Sequence, residues 1–220
     1  MAANYPFPSP FVEVKKRRAF FSFHYDDIMR VNNVRNAWKI DHPDTPAMRS
    51  FYDSSLWESR KLEGPDALKR LIREGVQNTS AICVLIGSET WSREWVRYEI
   101  ARAIIDNRGL LGVHINGLKH HATGCPHPNG QNPFDHIGLC RQDNAYPGTS
   151  QYFLYEHNGS GWYPYTHYTQ AVSLPAYLTP PSPGYIRQLS SSVPTYEFAL
   201  QEGHRNIGAW IDAAAQRVGR

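Results

Sequence analysis

Residues 79–100, TSAICVLIGSETWSREWVRYEI, contain the clearest change from strand to helix in the chain. The run AICVLIG (81–87) is continuously apolar and ends at a glycine, which is typical of a strand buried on both faces of a parallel sheet. Ser88 or Ser92 can then cap a helix, and Asn107-Arg108-Gly109 can end it. The apolar stripe of that helix comprises Val96, Ile100, Ala103 and Ile104. We therefore predict a strand, a loop and a helix at the centre of the fold.

The same pattern recurs on both sides of this unit. Upstream, RAFFSFH (18–24) predicts a buried strand, Asp26-Asp27 lie where a helix can begin, and SFYD (50–53) predicts a short second strand. Downstream, GLLGVHI (109–115) predicts the next strand. Apolar residues at helical spacing predict three more helices. They are Ile28, Val31, Val34 and Trp38; Leu68, Leu71, Ile72 and Val76 after Gly64-Pro65-Asp66; and Ile207, Trp210, Ile211 and Ala214.

Strands that alternate with helices predict right-handed crossovers and a flavodoxin-like, doubly wound parallel sheet of the α/β class. The ligand crevice of such a sheet lies at the carboxyl ends of its strands. Function is therefore expected on the loops that follow them.

Four segments organise the 220 residues. Residues 1–16, rich in Pro and aromatics, predict an extended arm, and residues 17–118 predict the α/β core. Residues 119–193 are crowded with Pro, Gly, His and Tyr and read as an insertion that decorates the sheet, with a hairpin in 152–168 around Asn158-Gly159-Ser160-Gly161. Residues 194–220 predict a last helix that completes the core.

The charge, cysteine content and apolar runs of the chain indicate which partners and which location to expect. A net charge of +3 with interspersed signs does not indicate a nucleic-acid partner. Cys83, Cys125 and Cys140 are an odd number at irregular spacing, so we expect no disulfide framework and a cytoplasmic location. The N-terminus lacks the features of a secretory leader, and no run approaches the roughly 20 apolar residues of a membrane span. No membrane partner is expected.

Several common site motifs are missing from the sequence. There is no GxGxxG after a strand and no GxxxxGK[ST], so a conventional dinucleotide or phosphate cradle is not predicted. HExxH and GxSxG are also absent, which argues against the common zinc proteases and serine hydrolases.

Two motifs nevertheless resemble those of Toll/interleukin receptor (TIR) domains. Phe21-Ser22-Phe23-His24-Tyr25-Asp26-Asp27 is similar to the first TIR strand with its acidic pair, and Ser92, Trp95, Val96, Glu99 and Ile100 are similar to the TIR pattern Ser-x-Trp-Cys-x-x-Glu-Leu. Val96 replaces the usual Cys, one extra residue separates Ser92 from Trp95, and FYDSSLWESRKLEGPDALKR (51–70) is not an ordinary TIR loop. With VRNAW (34–38) and NPF (132–134), the chain most resembles the TIR-like proteins of the bacterial Thoeris anti-phage system.

That resemblance, which covers about residues 17–118, implies an enzyme. It would cleave the nicotinamide-ribose bond of NAD and make an ADP-ribose-derived signalling nucleotide that activates a separate effector protein. NAD is then the substrate, and no further cofactor or metal is expected. Assembly into a homo-oligomer and a phage-derived trigger are also implied as partners, whereas nucleic acid and membrane are not.

Glu99 is the residue predicted to be catalytic. Nicotinamide leaves as a neutral group while positive charge builds on the ribose, so one carboxylate that stabilises this cation can suffice. Ser92, Trp95 and Glu99 follow i, i+3, i+7 and fall along one line of the helix, beside its apolar stripe. The alternative is a solvated Glu99 paired with Arg93 or Arg102, the usual situation of a surface glutamate.

Further residues are candidates for the substrate pocket. Ser22, Phe23, His24, Tyr25 and Asp26 end the first strand and can line the crevice, with an aromatic ring stacked on nicotinamide or adenine. The alternative makes the phenylalanines core and the aspartates a helix cap. Asn33 and Arg35 can reach phosphates, or equally be solvated helix positions. Asp53 and Trp57 are candidate pocket walls.

Other interpretations stay open at this point. One is a TIR-like interaction module in which Trp91, Trp95 and the loop at 53–61 form a docking surface. Another is a different flavodoxin-like enzyme with a carboxylate at the sheet edge, such as a nucleoside deoxyribosyltransferase. A structural zinc is a third, less favoured because the spacing matches no standard knuckle. Its candidate ligands would be His120, His121, Cys125, His127, His136 and Cys140.

Overall fold

A four-stranded parallel sheet forms the centre of the computed structural model, which describes residues 17–41, 62–143 and 150–220. Its strands are β1 (Ala19–Ser22), β2 (Ala81–Ile86), β3 (Gly109–His114) and β8 (Thr195–Glu197), in the order β1-β2-β3-β8. β2 pairs along its whole length with β3, from Ala81↔Gly109 to Ile86↔His114. The carboxyl ends of the first three strands therefore meet at one edge.

Helices cover both faces of this sheet. Because neighbouring strand residues point to opposite faces, Phe20, Ile82 and Val84 belong to one core cluster, whereas Phe21, Cys83 and Leu85 belong to the other. α2 (Pro65–Gln77) and α3 (Glu94–Ile105) pack on the first face. α1 (Ile28–Asp41) and α4 (Gly203–Gln216) pack on the second. The α/β class with a doubly wound parallel sheet is thus confirmed.

A second sheet lies outside the parallel one and is entirely antiparallel. Its strands, β4 (Ile137–Asp143), β5 (Ser150–His157), β6 (Trp162–Pro164) and β7 (Ile186–Gln188), follow the order β6-β5-β4-β7. β5 and β6 are the predicted hairpin, and the Asn158 side chain accepts from the backbone N–H groups of Ser160 (3.1 Å) and Gly161 (3.3 Å) in its turn.

This sheet does more than decorate the core, which corrects the prediction for residues 119–193. Ile137, Leu139, Leu154 and Tyr165 are buried in the same cluster as Val96 and Ile100 of α3. α3 is therefore held between the two sheets. The periodicity of 119–193 did not indicate this because its buried residues come from short strands and from irregular segments.

β8 is a strand of the parallel sheet that was not predicted from the sequence. TYE is only three residues long, which is too short for a recognisable alternation, and it becomes a strand by pairing with β3. The predicted strand at 50–53 and the arm at 1–16 lie outside the described residues. In the part of the chain that is described, no helix combines the length and apolarity needed to cross a bilayer, and all three cysteines are free thiols.

Candidate functional site

Glu99 lies in the middle of α3, with its side chain turned into the protein. The residue is only 4% exposed, and Ser22, the last residue of β1, is fully buried beside it. The Ser22 hydroxyl donates a hydrogen bond to Glu99 Oε2. A carboxyl group on the helix after β2 is thereby joined to the carboxyl end of β1.

Burial raises the pKa of Glu99 to about 8, well above the ordinary 4.5 of a glutamate, while the Ser22 hydrogen bond acts to lower it. At neutral pH the protein thus holds this group mostly protonated. A cation placed beside it would favour the ionised form. A carboxyl group whose pKa is strongly raised by burial, near the edge where parallel sheets bind ligands, is a candidate functional group.

The alternative of a solvated, ion-paired Glu99 is wrong in this structure. Arg102 pairs instead with Asp106 one turn further along α3. Arg93 lies close to His24, whose imidazole pKa is lowered by burial and by the Arg93 charge. The hydrogen-bond partner of Glu99 is therefore Ser22, not Arg93 or Arg102.

The predicted pocket loop after β1 divides into two parts. Phe23 and His24 are half-buried, and Phe23 packs against the core cluster shared by α1 and α4. Tyr25 and Asp26 point outward, with Tyr25 57% exposed and the Asp26 carboxylate 3.6 Å from His24 Nδ1. Within this loop, Ser22 is the residue that hydrogen-bonds to Glu99.

Asp27, predicted as part of the acidic pair in the crevice loop or, alternatively, as a helix cap, is buried and belongs to a polar network. Arg30 Nη1 lies 3.2 Å from Asp27 Oδ1 and donates also to Asn116 Oδ1 at 3.2 Å. Gly87 allows this packing, because a Cβ there would lie 1.8 Å from Asp27 Oδ2. The network connects the loops after β1, β2 and β3. Single-sequence reasoning missed it because no motif links residues 27, 30 and 116.

The helix that carries Glu99 begins later than predicted, which affects Ser92. Residues 90–92 form a 3₁₀ turn, Arg93 is the N-cap, and no side chain of the described residues caps the helix. Ser92 donates instead to the Glu89 carbonyl at 2.9 Å. The predicted cap by Ser88 or Ser92 and the continuous line from Ser92 to Glu99 are therefore wrong, whereas Trp95 and Glu99 do share one side of α3 at i, i+4.

The tryptophans of this region contact the second sheet and its connections. The Trp91 ring packs on His136 at 4.9 Å, and the Trp95 ring packs on His167 at 5.9 Å and on Tyr98 at 6.0 Å. A docking surface for another protein made of Trp91 and Trp95 thus competes with contacts inside the chain. Half-buried Trp95 remains a neighbour of Glu99 by helix geometry.

The remaining candidates lie elsewhere or outside the described residues. Asn33 is exposed on α1 and Arg35 is half-buried. Asp53 and Trp57 fall in the undescribed range, so their role stays a prediction.

The histidines and cysteines proposed as zinc ligands are divided between places. The His120 ring stacks on His127 at 4.7 Å and on His121 at 4.5 Å, while His136 packs on Trp91 and Cys140 is buried in β4. Among the described residues, no group of three His, Cys, Asp or Glu side chains is arranged to hold a metal. The zinc interpretation has no support in this part of the chain.

Two sequence similarities to known proteins identify the family of this chain. Residues 20–120, which include Ser22, Glu99 and Asn116, match the family model described as Thoeris protein ThsB, TIR-like domain. The chain is also 38% identical over 201 residues to the Bacillus cereus (strain MSX-D12) protein named "Putative cyclic ADP-D-ribose synthase ThsB1". That alignment covers 89% of this chain and 99% of the relative. The chain therefore belongs to the ThsB family of Thoeris TIR-like proteins.

Proposed function

We propose that this protein cleaves NAD at the bond between nicotinamide and ribose and converts the remaining ADP-ribose part into a signalling nucleotide. The observation that carries the proposal is the buried Glu99 carboxyl, bonded by Ser22 at the carboxyl edge of a parallel sheet. Family membership adds support, since the relative from Bacillus cereus is named "Putative cyclic ADP-D-ribose synthase ThsB1".

In the proposed reaction the bond between the nicotinamide nitrogen and the ribose carbon breaks. Its electron pair stays on nicotinamide, which leaves neutral, and positive charge develops on the ribose. A carboxylate at Glu99 stabilises this charge most strongly where water is excluded, as it is around a 4%-exposed side chain. A nucleophile then bonds to the ribose carbon and gives up its proton, for which Glu99 is the acceptor.

Protonation of Glu99 is linked to substrate binding in this scheme. The nicotinamide ring of NAD carries a positive charge, and a positive charge nearby lowers the pKa of a carboxyl group. Binding of NAD to the ligand-free protein therefore favours loss of the Glu99 proton, from a group whose pKa lies near 8. The Ser22 hydroxyl, as the hydrogen-bond donor, stabilises the ionised form.

The nucleophile determines the product. A nucleophile from within the same molecule gives a cyclic nucleotide, which agrees with the name of the relative, whereas water gives linear ADP-ribose. In the proposed pathway the product activates a separate effector protein, and a phage component triggers its synthesis.

The test is product identification. Purified protein is incubated with NAD, alone and with lysate from phage-infected cells, and the mixture is separated by chromatography and mass spectrometry. We expect free nicotinamide and an ADP-ribose derivative lighter than linear ADP-ribose by one water. Linear ADP-ribose alone would contradict the cyclic product, and no nicotinamide under either condition would contradict the enzymatic function.

A further inference from the structure

Residues 116–130, here called the strap, follow β3 and run over the carboxyl edge of the parallel sheet. The first residue of the strap, Asn116, is fully buried, although asparagine usually lies at the surface. Its amide group donates to the carbonyl of Pro128 at 2.6 Å and to Ser88 Oγ at 3.1 Å. Its backbone carbonyl accepts from the N–H of His127 at 2.9 Å. Asn116 thus ties the two ends of the strap to each other and to the loop after β2.

Arg30 anchors the strap from the opposite side. Its side chain is only 2% exposed, and the guanidinium donates through Nε to the Leu118 carbonyl at 3.0 Å and through Nη1 to Asn116 Oδ1 at 3.2 Å. The Asp27 carboxylate, also buried, faces the same Nη1 at 3.2 Å. Removal of one partner from a buried ion pair leaves an uncompensated charge, which is strongly destabilising. This arrangement therefore has few alternatives of comparable energy.

The strap packs on backbone where it crosses the sheet edge. A Cβ at Gly130 would lie 2.1 Å from the Gly87 carbonyl oxygen and 2.8 Å from that of Ser88. Gly87 in turn lies against Asp27, and its N–H donates to Thr90 Oγ1 at 2.9 Å in the turn that leads into α3. The strap, the loop after β2 and the start of the Glu99 helix thus form one packed unit.

We infer that Arg30 and Asn116 are positioning residues, which hold the strap against Gly87 and Ser88 so that it forms a fixed wall of the NAD crevice. Neither residue contacts Glu99 in any described hydrogen bond, so the pair acts on substrate binding more than on the chemical step. The role in catalysis rests on the proposed function, whereas the anchoring of the strap does not.

The test substitutes Asn116→Asp, which keeps the acceptor for Arg30 but replaces the amide donor to Pro128 and Ser88 by a carboxylate oxygen. Hydrogen exchange followed by mass spectrometry should show about tenfold faster exchange in residues 116–130, with β1, β2 and β3 unchanged. With NAD as substrate, KM should rise about fivefold or more while kcat stays within about twofold. Asn206→Asp is the matched control, since Asn206 makes one exposed bond, to the Gln201 carbonyl, and should change neither readout.

Arg30→Lys serves as the second variant, because it keeps a positive charge near Asp27 but loses the Nε donor to Leu118. The same exchange pattern is expected, in milder form. Unchanged exchange in the strap in both variants would overturn the anchoring, and so would loss of protection throughout the sheet, which would mean a role in global stability only. Unchanged KM with a released strap would overturn its role as a wall. If the wild-type protein releases no nicotinamide, the proposed function and the wall both fail, and the exchange data still decide the anchoring.

Discussion

The hydroxyl of Ser22 donates a hydrogen bond to the carboxyl of Glu99, so that the end of β1 and the middle of α3 are joined inside the core. Among the described residues Glu99 has no ion-pair partner, and a buried carboxyl in that situation is costly for a protein that only needs to fold. The cost is reduced in the neutral form, which is why the pKa of Glu99 rises to about 8. The folded state is therefore most stable with Glu99 protonated, whereas the proposed reaction needs Glu99 ionised.

The first prediction concerns stability against pH. Between the ordinary pKa of 4.5 and the native value of about 8, the folded protein keeps a proton that the unfolded chain has lost. This contribution to stability is therefore lost as pH rises through that window. Glu99→Gln has no such dependence and can still accept the Ser22 hydrogen bond. Relative to wild type, we expect the free energy of unfolding of the variant to rise by a few kcal/mol between pH 5 and pH 9. Denaturant unfolding at several pH values measures it, and parallel curves for the two proteins would refute the burial argument.

A second prediction separates the hydrogen bond from the carboxyl. Ser22→Ala removes the donor that lowers the pKa of Glu99, so this pKa should rise further. The increase of kcat/KM with pH should then occur at higher pH. The lost bond should also reduce the free energy of unfolding by about 1–3 kcal/mol. Ser191→Ala, which removes an exposed hydroxyl bonded to the Gln188 carbonyl, is the control. An unmoved pH profile in Ser22→Ala would show that the Ser22 bond does not tune Glu99.

A third prediction tests the close approach of Asp27 to Gly87. A methyl group at position 87 would overlap the Asp27 carboxylate and force it away from Arg30. Gly87→Ala should therefore lower the free energy of unfolding by about 3 kcal/mol or more. Gly161→Ala is the matched control, because its added Cβ would meet only Tyr163 at an ordinary 3.7 Å. Equal stability of the two variants, measured by thermal unfolding, would mean that the Asp27 packing is not as described.

The fourth prediction concerns Tyr165, where the second sheet meets α3. Its ring is buried in the core, and its hydroxyl has no hydrogen-bond partner among the described residues. Tyr165→Phe should thus be neutral or stabilising by about 1 kcal/mol, since it removes an unsatisfied polar group. Tyr165→Ala should destabilise by about 3–5 kcal/mol through the cavity it leaves. A clear loss of stability in Tyr165→Phe would reveal a partner for this hydroxyl.

The parts of the fold that were predictable are those with their own apolar periodicity. β2 and α3 were visible because Ile82 to Ile86 form an unbroken run and Val96, Ile100 and Ile104 recur at helical spacing. β8 and β4 were not, since TYE and IGLCRQD carry polar residues and become strands only through pairing with neighbours.

The candidate site, like the fold, was predictable only in part. Glu99 and Ser22 were named as candidates from their motifs and order along the chain, although their direct hydrogen bond was not foreseen. The network of Asp27, Arg30 and Asn116 was missed because charged and amide side chains are expected at the surface unless partners distant in sequence bury them. The Ser92 cap was wrong because a 3₁₀ turn delays the start of α3 to Glu94.

The catalytic role of Glu99 is decided by the initial rate of nicotinamide release from NAD by wild-type protein and by Glu99→Gln, both shown to be folded by circular dichroism. We expect the rate to fall at least about 10³-fold in the variant, as when a group that stabilises transition-state charge is removed, with unfolding no easier than in wild type. A Glu99→Gln protein that released nicotinamide at the wild-type rate would exclude a catalytic role for this carboxyl.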